Sequence, residues 1–284
     1  MTEKATKKME IKFAKGFKTV FNLSVIIGIL MVVASVAGLF LGDIYRDNLL
    51  VSSGWLGNDL VTLLLAVPLL ITSMVLTKHG SPRALLVWLG MVLYTLYNYA
   101  FYLFAAAFNS LFLVYTALFT LSIFVLIFGL TSLDVRGIAE QFRSTTPVKW
   151  VGGYMAFVSL VLGSFHIILA LGFIFTGRVP EIVINVEHPT NIISALDLSL
   201  VVSFGLLGAV WLWVRQPWGY VLAVLWNVKG AVYMAALSGA TAWIFQAGAS
   251  DSPVQLALWV PIGIGCLISS VVLLRNMKST RTSV

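Results

Sequence analysis

Six side chains in this sequence pair reactive chemistry with apolar surroundings: Tyr94, Asn98, His166, His188, Asp197 and Lys229. Lys229 stands near the middle of the apolar stretch Trp218 to Phe245, where a bilayer would be driest. A lysine at such a depth is unfavourable by roughly 2.5–3.5 kcal/mol on insertion scales, so an intramembrane ammonium is a functional candidate by default. Three arrangements would account for it. It can pair with a carboxylate such as Asp197, stand neutral beside Tyr94, Asn98 or His166, or receive the anionic group of a ligand. A structural alternative is a lysine that snorkels along a helix groove with a water or a tyrosine hydroxyl as company.

The other members of the set also have two readings. His166, within Gly163-Ser164-Phe165-His166, can relay protons or serve as a hydrogen-bonded packing residue on a helix whose small residues permit close approach. Asp59 and Asp197 each open an apolar run, which suits an N-cap or a first-turn acid favoured by the helix dipole. Thr190 and Asn191 suit a turn before the sixth apolar run. His188 lies in Glu187-His188-Pro189-Thr190-Asn191, and no spacing there matches a metal signature. The lone Cys266 cannot form an intrachain disulfide. No Gly-x-Ser-x-Gly, His-Glu-x-x-His or phosphate-binding glycine loop is present, so neither a metal nor a cofactor is expected.

The elements that must position these groups follow from composition. The 284 residues are 60% hydrophobic and 10% charged, with a mean hydropathy of +0.98. A soluble globular class does not fit, and an all-α polytopic transmembrane bundle does. Eight stretches are long enough to cross: Phe21 to Gly42, Leu60 to Thr77, Ala84 to Phe108, Leu111 to Leu130, Trp150 to Phe175, Ala195 to Val214, Trp218 to Phe245 and Val254 to Leu274. The net charge of +7 does not imply nucleic acid, because the basic residues are confined to the connecting segments. The expected partners are membrane lipids and a small-molecule ligand.

The basic residues also set orientation. With the N-terminus inside, the cytoplasmic segments hold fifteen of the eighteen Lys and Arg residues, from Lys4 to Lys18 and at Lys78, Arg83, Arg136, Arg143, Lys149, Arg215, Arg275, Lys278 and Arg281. Only Arg46 and Arg178 lie outside, and Lys229 stays within the membrane. Both termini are therefore expected in the cytoplasm, with the bacterial inner membrane as the location. Ser35-Val36-Ala37 has the character of a signal-peptide cleavage site, but the preceding apolar run is long enough to span and reads as an uncleaved anchor. Residues 131–149, with Ile138 and Phe142 at i, i+4, read as an interfacial linker helix.

The chain also reads as two similar halves. Residues 1–20 form a basic terminus, 21–130 a first four-helix half, 131–149 the linker, 150–274 a second four-helix half and 275–284 a tail. After Asp59 and again after Asp197 the sequence runs inward from Asp-Leu, turns on a basic residue and a proline, and returns through an aromatic helix. Matching Pro82 to Pro217 sets Tyr94 opposite Lys229 and Asn98 opposite Tyr233. Four helices per half, an even number, makes the repeats parallel, with a ligand site expected near mid-depth where they meet.

The strings YNYAFY from Tyr97, HPTN from His188 followed by Asp197, and PWGY from Pro217 through Lys229-Gly230 resemble an uncharacterised family of bacterial polytopic membrane proteins. The resemblance implies a multi-pass inner-membrane protein and brings no activity or catalytic residue with it. The residues themselves point to an outward-open polar cavity that binds or transports a small molecule or lipid headgroup. Lys229, Asn98, Tyr94 and His166 would form its base, with Asp197 and His188 at its mouth. The alternatives are an intramembrane enzyme acting on a lipid-linked substrate, with His166 or His188 as base and Asp197 orienting it, and a structural subunit.

Overall fold

The computed structural model describes residues 16–278, so the first basic residues and Arg281 lie outside the described residues. Among the described residues eight helices are long and apolar enough to cross a bilayer, which makes the fold an all-α, multi-pass membrane bundle. They are α1 (Gly16–Phe40), α2 (Leu49–Lys78), α3 (Pro82–Phe104), α4 (Phe112–Thr131), α6 (Val148–Thr176), α8 (Ile192–Trp213), α9 (Pro217–Gln246) and α10 (Leu256–Arg275). Two short helices, α5 (Val135–Gln141) and α7 (Glu181–Val186), lie in the connections. Helices are the necessary solution for such runs, because hydrocarbon offers backbone groups no partner outside the segment.

Two helices form the centre. In α3 and α9 the apolar window is 89% and 61% buried, against 44% or less in the other six. These two carry Tyr94, Tyr97, Asn98, Lys229 and Tyr233, while the surrounding helices present many Leu, Ile, Val and Phe side chains outward. The α3 and α9 backbones approach closely where Gly90 meets Val228, whose Cβ would lie 2.8 Å from a β-carbon added at Gly90. Helices α2 and α9 meet glycine on glycine: a β-carbon at Gly57 would overlap the Gly239 carbonyl oxygen. Small residues at helix crossings are the usual means of close approach in a membrane, where no hydrophobic force drives helices together.

Several boundaries differ from those read in the sequence. Helix α2 begins at Leu49, not Leu60, because Asn48 caps it by accepting from Val51 N at 3.0 Å. The polar residues that resembled a loop are satisfied inside the helix or its cap, as when Ser52 Oγ donates to the Asp47 carbonyl at 2.7 Å. Asp59 therefore lies well inside a long helix and is not an N-cap. Asp197 is not one either: α8 starts at Ile192, and Asn191 caps it by accepting from Ser194 N at 3.0 Å. Helix α3 ends at Phe104, and residues 105–111 turn around Asn109, which bonds Ala107 O at 3.0 Å and Leu111 N at 2.9 Å. The turn after α3 is thus longer than Asn109 and Ser110 alone.

Both aspartates stand where the helix widens. A π-helical segment at Thr62–Ala66 interrupts α2 just after Asp59, and another at Asp197–Val202 interrupts α8. Such segments leave the regular i to i−4 ladder and are frequent at functional sites. In α8 the departure has visible takers, since Val201 O accepts from Trp226 Nε1 at 2.9 Å and Leu198 O from Ser203 Oγ at 2.8 Å.

The basic-loop end of the bundle is tied together. Helix α5 does not lie free in an interface, because Ile138 and Phe142 are buried and the Phe142 ring stacks on Tyr220 at 4.6 Å. Phe142 and Met277 form an isolated antiparallel bridge, Arg143 N bonds Asn276 O at 3.0 Å, and Lys278 N bonds Gln141 O at 2.7 Å. Arg83 also donates to the Met277 carbonyl. The segment between α4 and α6 is thereby clamped to the chain after α10.

Candidate functional site

The buried polar residues form separate networks, one of them centred on Asp197 and Lys229. Helix α9 carries Lys229, which is 6% exposed, and α3 carries Tyr97. The Lys229 Nζ lies 3.4 Å from the centre of the Tyr97 ring and 4.7 Å from that of Tyr233. Those two rings meet edge to face at 4.7 Å, so the ammonium occupies an aromatic corner. A cation over such faces recovers about 2 kcal/mol when desolvated, which offsets much of the cost of a buried lysine. Among the described residues, no carboxylate is in ion-pair contact with Lys229.

Tyr97 joins the lysine to the acid. Its hydroxyl donates to Asp197 Oδ1, while its ring face carries Lys229. The other carboxylate oxygen, Oδ2, lies 2.9 Å from His166 Nε2, and His166 Nδ1 lies 2.7 Å from Ser194 Oγ. An ionised Asp197 accepts only, so the roles assign a proton to His166 Nε2 and make Nδ1 the acceptor of the Ser194 hydroxyl. Helix α6 supplies the histidine, and α8 supplies both Ser194 and Asp197, three residues apart on one face. The continuous order is Ser194, His166, Asp197, Tyr97, Lys229, spread over four helices.

Tyr94 and Asn98, expected at the base with Lys229, go elsewhere. Asn98 Oδ1 accepts from Asn58 Nδ2 at 2.9 Å, and the Tyr94 hydroxyl pairs with Thr62 Oγ1 at 2.8 Å. Thr62 Oγ1 also donates to Asn58 Oδ1 at 3.1 Å. This ladder ties α3 to the π-helical turn of α2. Asn98 Nδ2 is left without a partner, as is Asn227 Oδ1, whose amide nitrogen bonds Ala223 O at 2.8 Å.

His188 is apart from all of these. Its ring nitrogens are buried without hydrogen-bond partners, and no hydrogen bond links it to Asp197. Burial pushes its pKa below the ordinary histidine range, and the negative charge of Asp47 only partly opposes this, so the neutral ring is favoured. Among the described residues no group of three or more His, Cys, Asp or Glu side chains is arranged to hold a metal.

A third network surrounds Asp59. Its carboxylate accepts from Tyr45 and, at 3.0 Å, from Tyr102. Burial first, and then the neighbouring Asp59 charge, hold the Tyr45 phenol well above its ordinary range, which keeps it a donor. Gly38 makes room for this contact, since a β-carbon there would overlap Asp59 Oδ2.

Sequence reasoning singled out Lys229, His166 and Asp197 and set Tyr97 at the depth of the lysine, but it named neither Tyr97 nor Ser194 nor Tyr233 as a partner. Ser194 was three residues before Asp197, a helical spacing that could have found it. Tyr97 and Tyr233 were hidden in aromatic runs that mark no single face. No family model, curated protein or solved structure matches this chain.

Proposed function

We propose that the protein is a bacterial inner-membrane protein that binds and moves a small anionic molecule or an anionic lipid headgroup at the Lys229–Tyr97–Asp197–His166 cluster. The observation that carries this reading is the setting of Lys229. Two aromatic faces hold its ammonium and, among the described residues, no carboxylate touches it, so its N–H groups are available to a ligand anion. The neighbouring Asp197–His166 pair supplies groups that can exchange a proton with a bound acid. The π-helical interruptions in α2 and α8 provide two irregular points at which transport helices can flex.

The same reading takes the chain as two parallel four-helix halves, 21–130 and 150–274, that meet along α3 and α9. Its support is the matched order of features: a buried aspartate beside a π-helical turn, then a helix opened by Pro82 or Pro217. On this reading both termini are cytoplasmic and the aspartates lie toward the outer side, which the bias of Lys and Arg to one end supports.

Thermal unfolding of the purified protein in phosphatidylcholine nanodiscs tests the reading, with acetate, inorganic phosphate and glycerol phosphate as soluble probes and added phosphatidylglycerol as the lipid probe. At least one probe should raise Tm and show flux in proteoliposomes. A probe that binds without flux would count against transport and leave a sensor of the same ligand.

One observation favours a second reading. Ser194 Oγ, His166 and Asp197 are joined at 2.7 and 2.9 Å, the order of a nucleophile, its base and an orienting acid. An intramembrane hydrolase of lipid-linked esters would use them so. A fluorophosphonate adduct on Ser194, with no response to any anion, would favour that enzyme over the binding protein.

A further inference from the structure

Asp59 is 1% exposed, and among the described residues no cationic side chain lies within ion-pair distance of it. A bare carboxylate in that position is costly, and the usual remedies are a proton, a metal ion or a basic partner. The surroundings supply hydroxyls instead. Tyr45 and Tyr102 already donate to the carboxylate. Ser35, Tyr99 and Tyr115 stand within electrostatic or hydrogen-bonding reach of the carboxylate or of its Tyr45 donor. The hydroxyls of these three are themselves fully buried and have no hydrogen-bond partner in good geometry.

Orphaned hydroxyls around a buried acid are unusual, because buried polar groups are nearly always paired. Three of them around one carboxylate and its Tyr45 donor mark a place where a further group completes the bonding. The space bounds its size. The rings are packed on one another, with Tyr102 centred 5.4 Å from Tyr99, 5.1 Å from Tyr115 and 4.5 Å from Trp55, and Gly38 leaves no gap on the α1 side. An organic ammonium does not fit between them.

We infer that Asp59 and its ring of hydroxyls form a second site, which takes up one small monovalent cation, a proton or a sodium ion. A sodium ion would use the carboxylate and the free hydroxyl oxygens as hard ligands, and a proton would neutralise the acid and leave the hydroxyls to bond one another. The site is built from α1, α2, α3, α4 and the segment holding Tyr45, and it shares no residue with the Lys229 cluster. It therefore stands whether or not an anion binds there. The titratable groups facing Asp59 are Tyr45, Tyr94, Tyr99, Tyr102 and Tyr115, with Asp47 beyond Trp55, whose Nε1 it accepts at 3.2 Å. From α9 the side facing α2 brings Gly239 and Ala240, which do not titrate.

Tm of the full-length protein in nanodiscs, measured against sodium at fixed pH and ionic strength and against pH without sodium, separates the two cations. Wild type should gain stability as one of them is raised, by mass action on the folded state. Asp59→Asn, which keeps an acceptor for Tyr45 and Tyr102, should lose the sodium response and the part of the pH response that Asp59 carries. Tyr99→Phe and Tyr115→Phe remove only hydroxyls that make no hydrogen bond in good geometry, so they should fold nearly as wild type and shift the midpoint of the response about tenfold toward higher cation concentration. A sodium response identifies a metal ion and a pH response alone identifies a proton. No response to either in wild type, or the same response in Asp59→Asn, overturns the site. If Asp59→Asn does not fold, unshifted midpoints in both phenylalanine variants overturn it.

Discussion

Asp197→Ala is expected to cost the protein about 2–5 kcal/mol of stability, whereas Asp197→Asn should retain most of it. The carboxylate is the common partner of Tyr97 and His166, both 2% exposed or less, and alanine strands both donors at once. Each unpaired buried donor costs about 1–3 kcal/mol, and hydrocarbon offers no water to replace the lost bond. Asparagine keeps one oxygen for the Tyr97 hydroxyl and turns an amide toward His166, whose ring can change tautomer to accept it. Urea or thermal unfolding in a fixed detergent reads the difference. Equal losses in the two variants would show that charge, not hydrogen bonding, holds the cluster.

Lys229→Met is expected to do the opposite to stability and to remove function. Methionine fills a similar volume, carries no charge into the core and makes favourable contacts with aromatic rings such as Tyr97 and Tyr233. The cation–aromatic attraction it forfeits is about 2 kcal/mol, less than the roughly 2.5–3.5 kcal/mol of burying the lysine. Tm in the absence of ligand should therefore hold or rise by a few degrees. The Tm gain from the anion probes should fall by about ten- to a hundredfold in apparent affinity, the loss of one charge-assisted contact. A variant less stable than wild type with an unchanged probe response would mean that Lys229 serves the fold alone.

The bundle was legible because hydrocarbon allows so few structures. Twenty apolar residues between polar connections leave little choice but a helix, and the eight runs follow from that rule, whereas the central place of α3 and α9 does not. Helix ends were less legible. Residues 52–59 resembled a loop, yet they lie in α2, where Ser52 bonds the preceding turn, Asn58 bonds Asn98 and Asp59 accepts from aromatic hydroxyls. Composition records that these groups are polar but not that a partner awaits them on another helix.

The candidate site divides in the same way. Lys229, His166 and Asp197 stood out because each carries a chemistry that an apolar helix cannot ignore. Rise along the helix set Asp197 well above Lys229, and the structure reconciles that offset through Tyr97, whose ring and hydroxyl face the two groups. Tyr94 and Asn98 were placed with the lysine by depth alone. Depth does not give the direction around the helix axis, and both residues point to Thr62 and Asn58 of α2 instead. The Asp59 network was hidden for a further reason, since three of its hydroxyls come from α1, α4 and the segment after α1, far apart in sequence.

Cysteine accessibility at position 229 tests most directly whether this cluster is a ligand site and not a sealed core. Lys229→Cys would be made in a Cys266→Ser background, which removes the one native thiol. A small, negatively charged methanethiosulfonate would then be added to right-side-out vesicles, with and without the anion probe that raises Tm. Labelling from the outer side, slowed by roughly tenfold or more when the probe is bound, is the predicted result. No labelling from either side of the membrane, with or without the probe, would contradict it and leave Lys229 as a packed residue between two tyrosines.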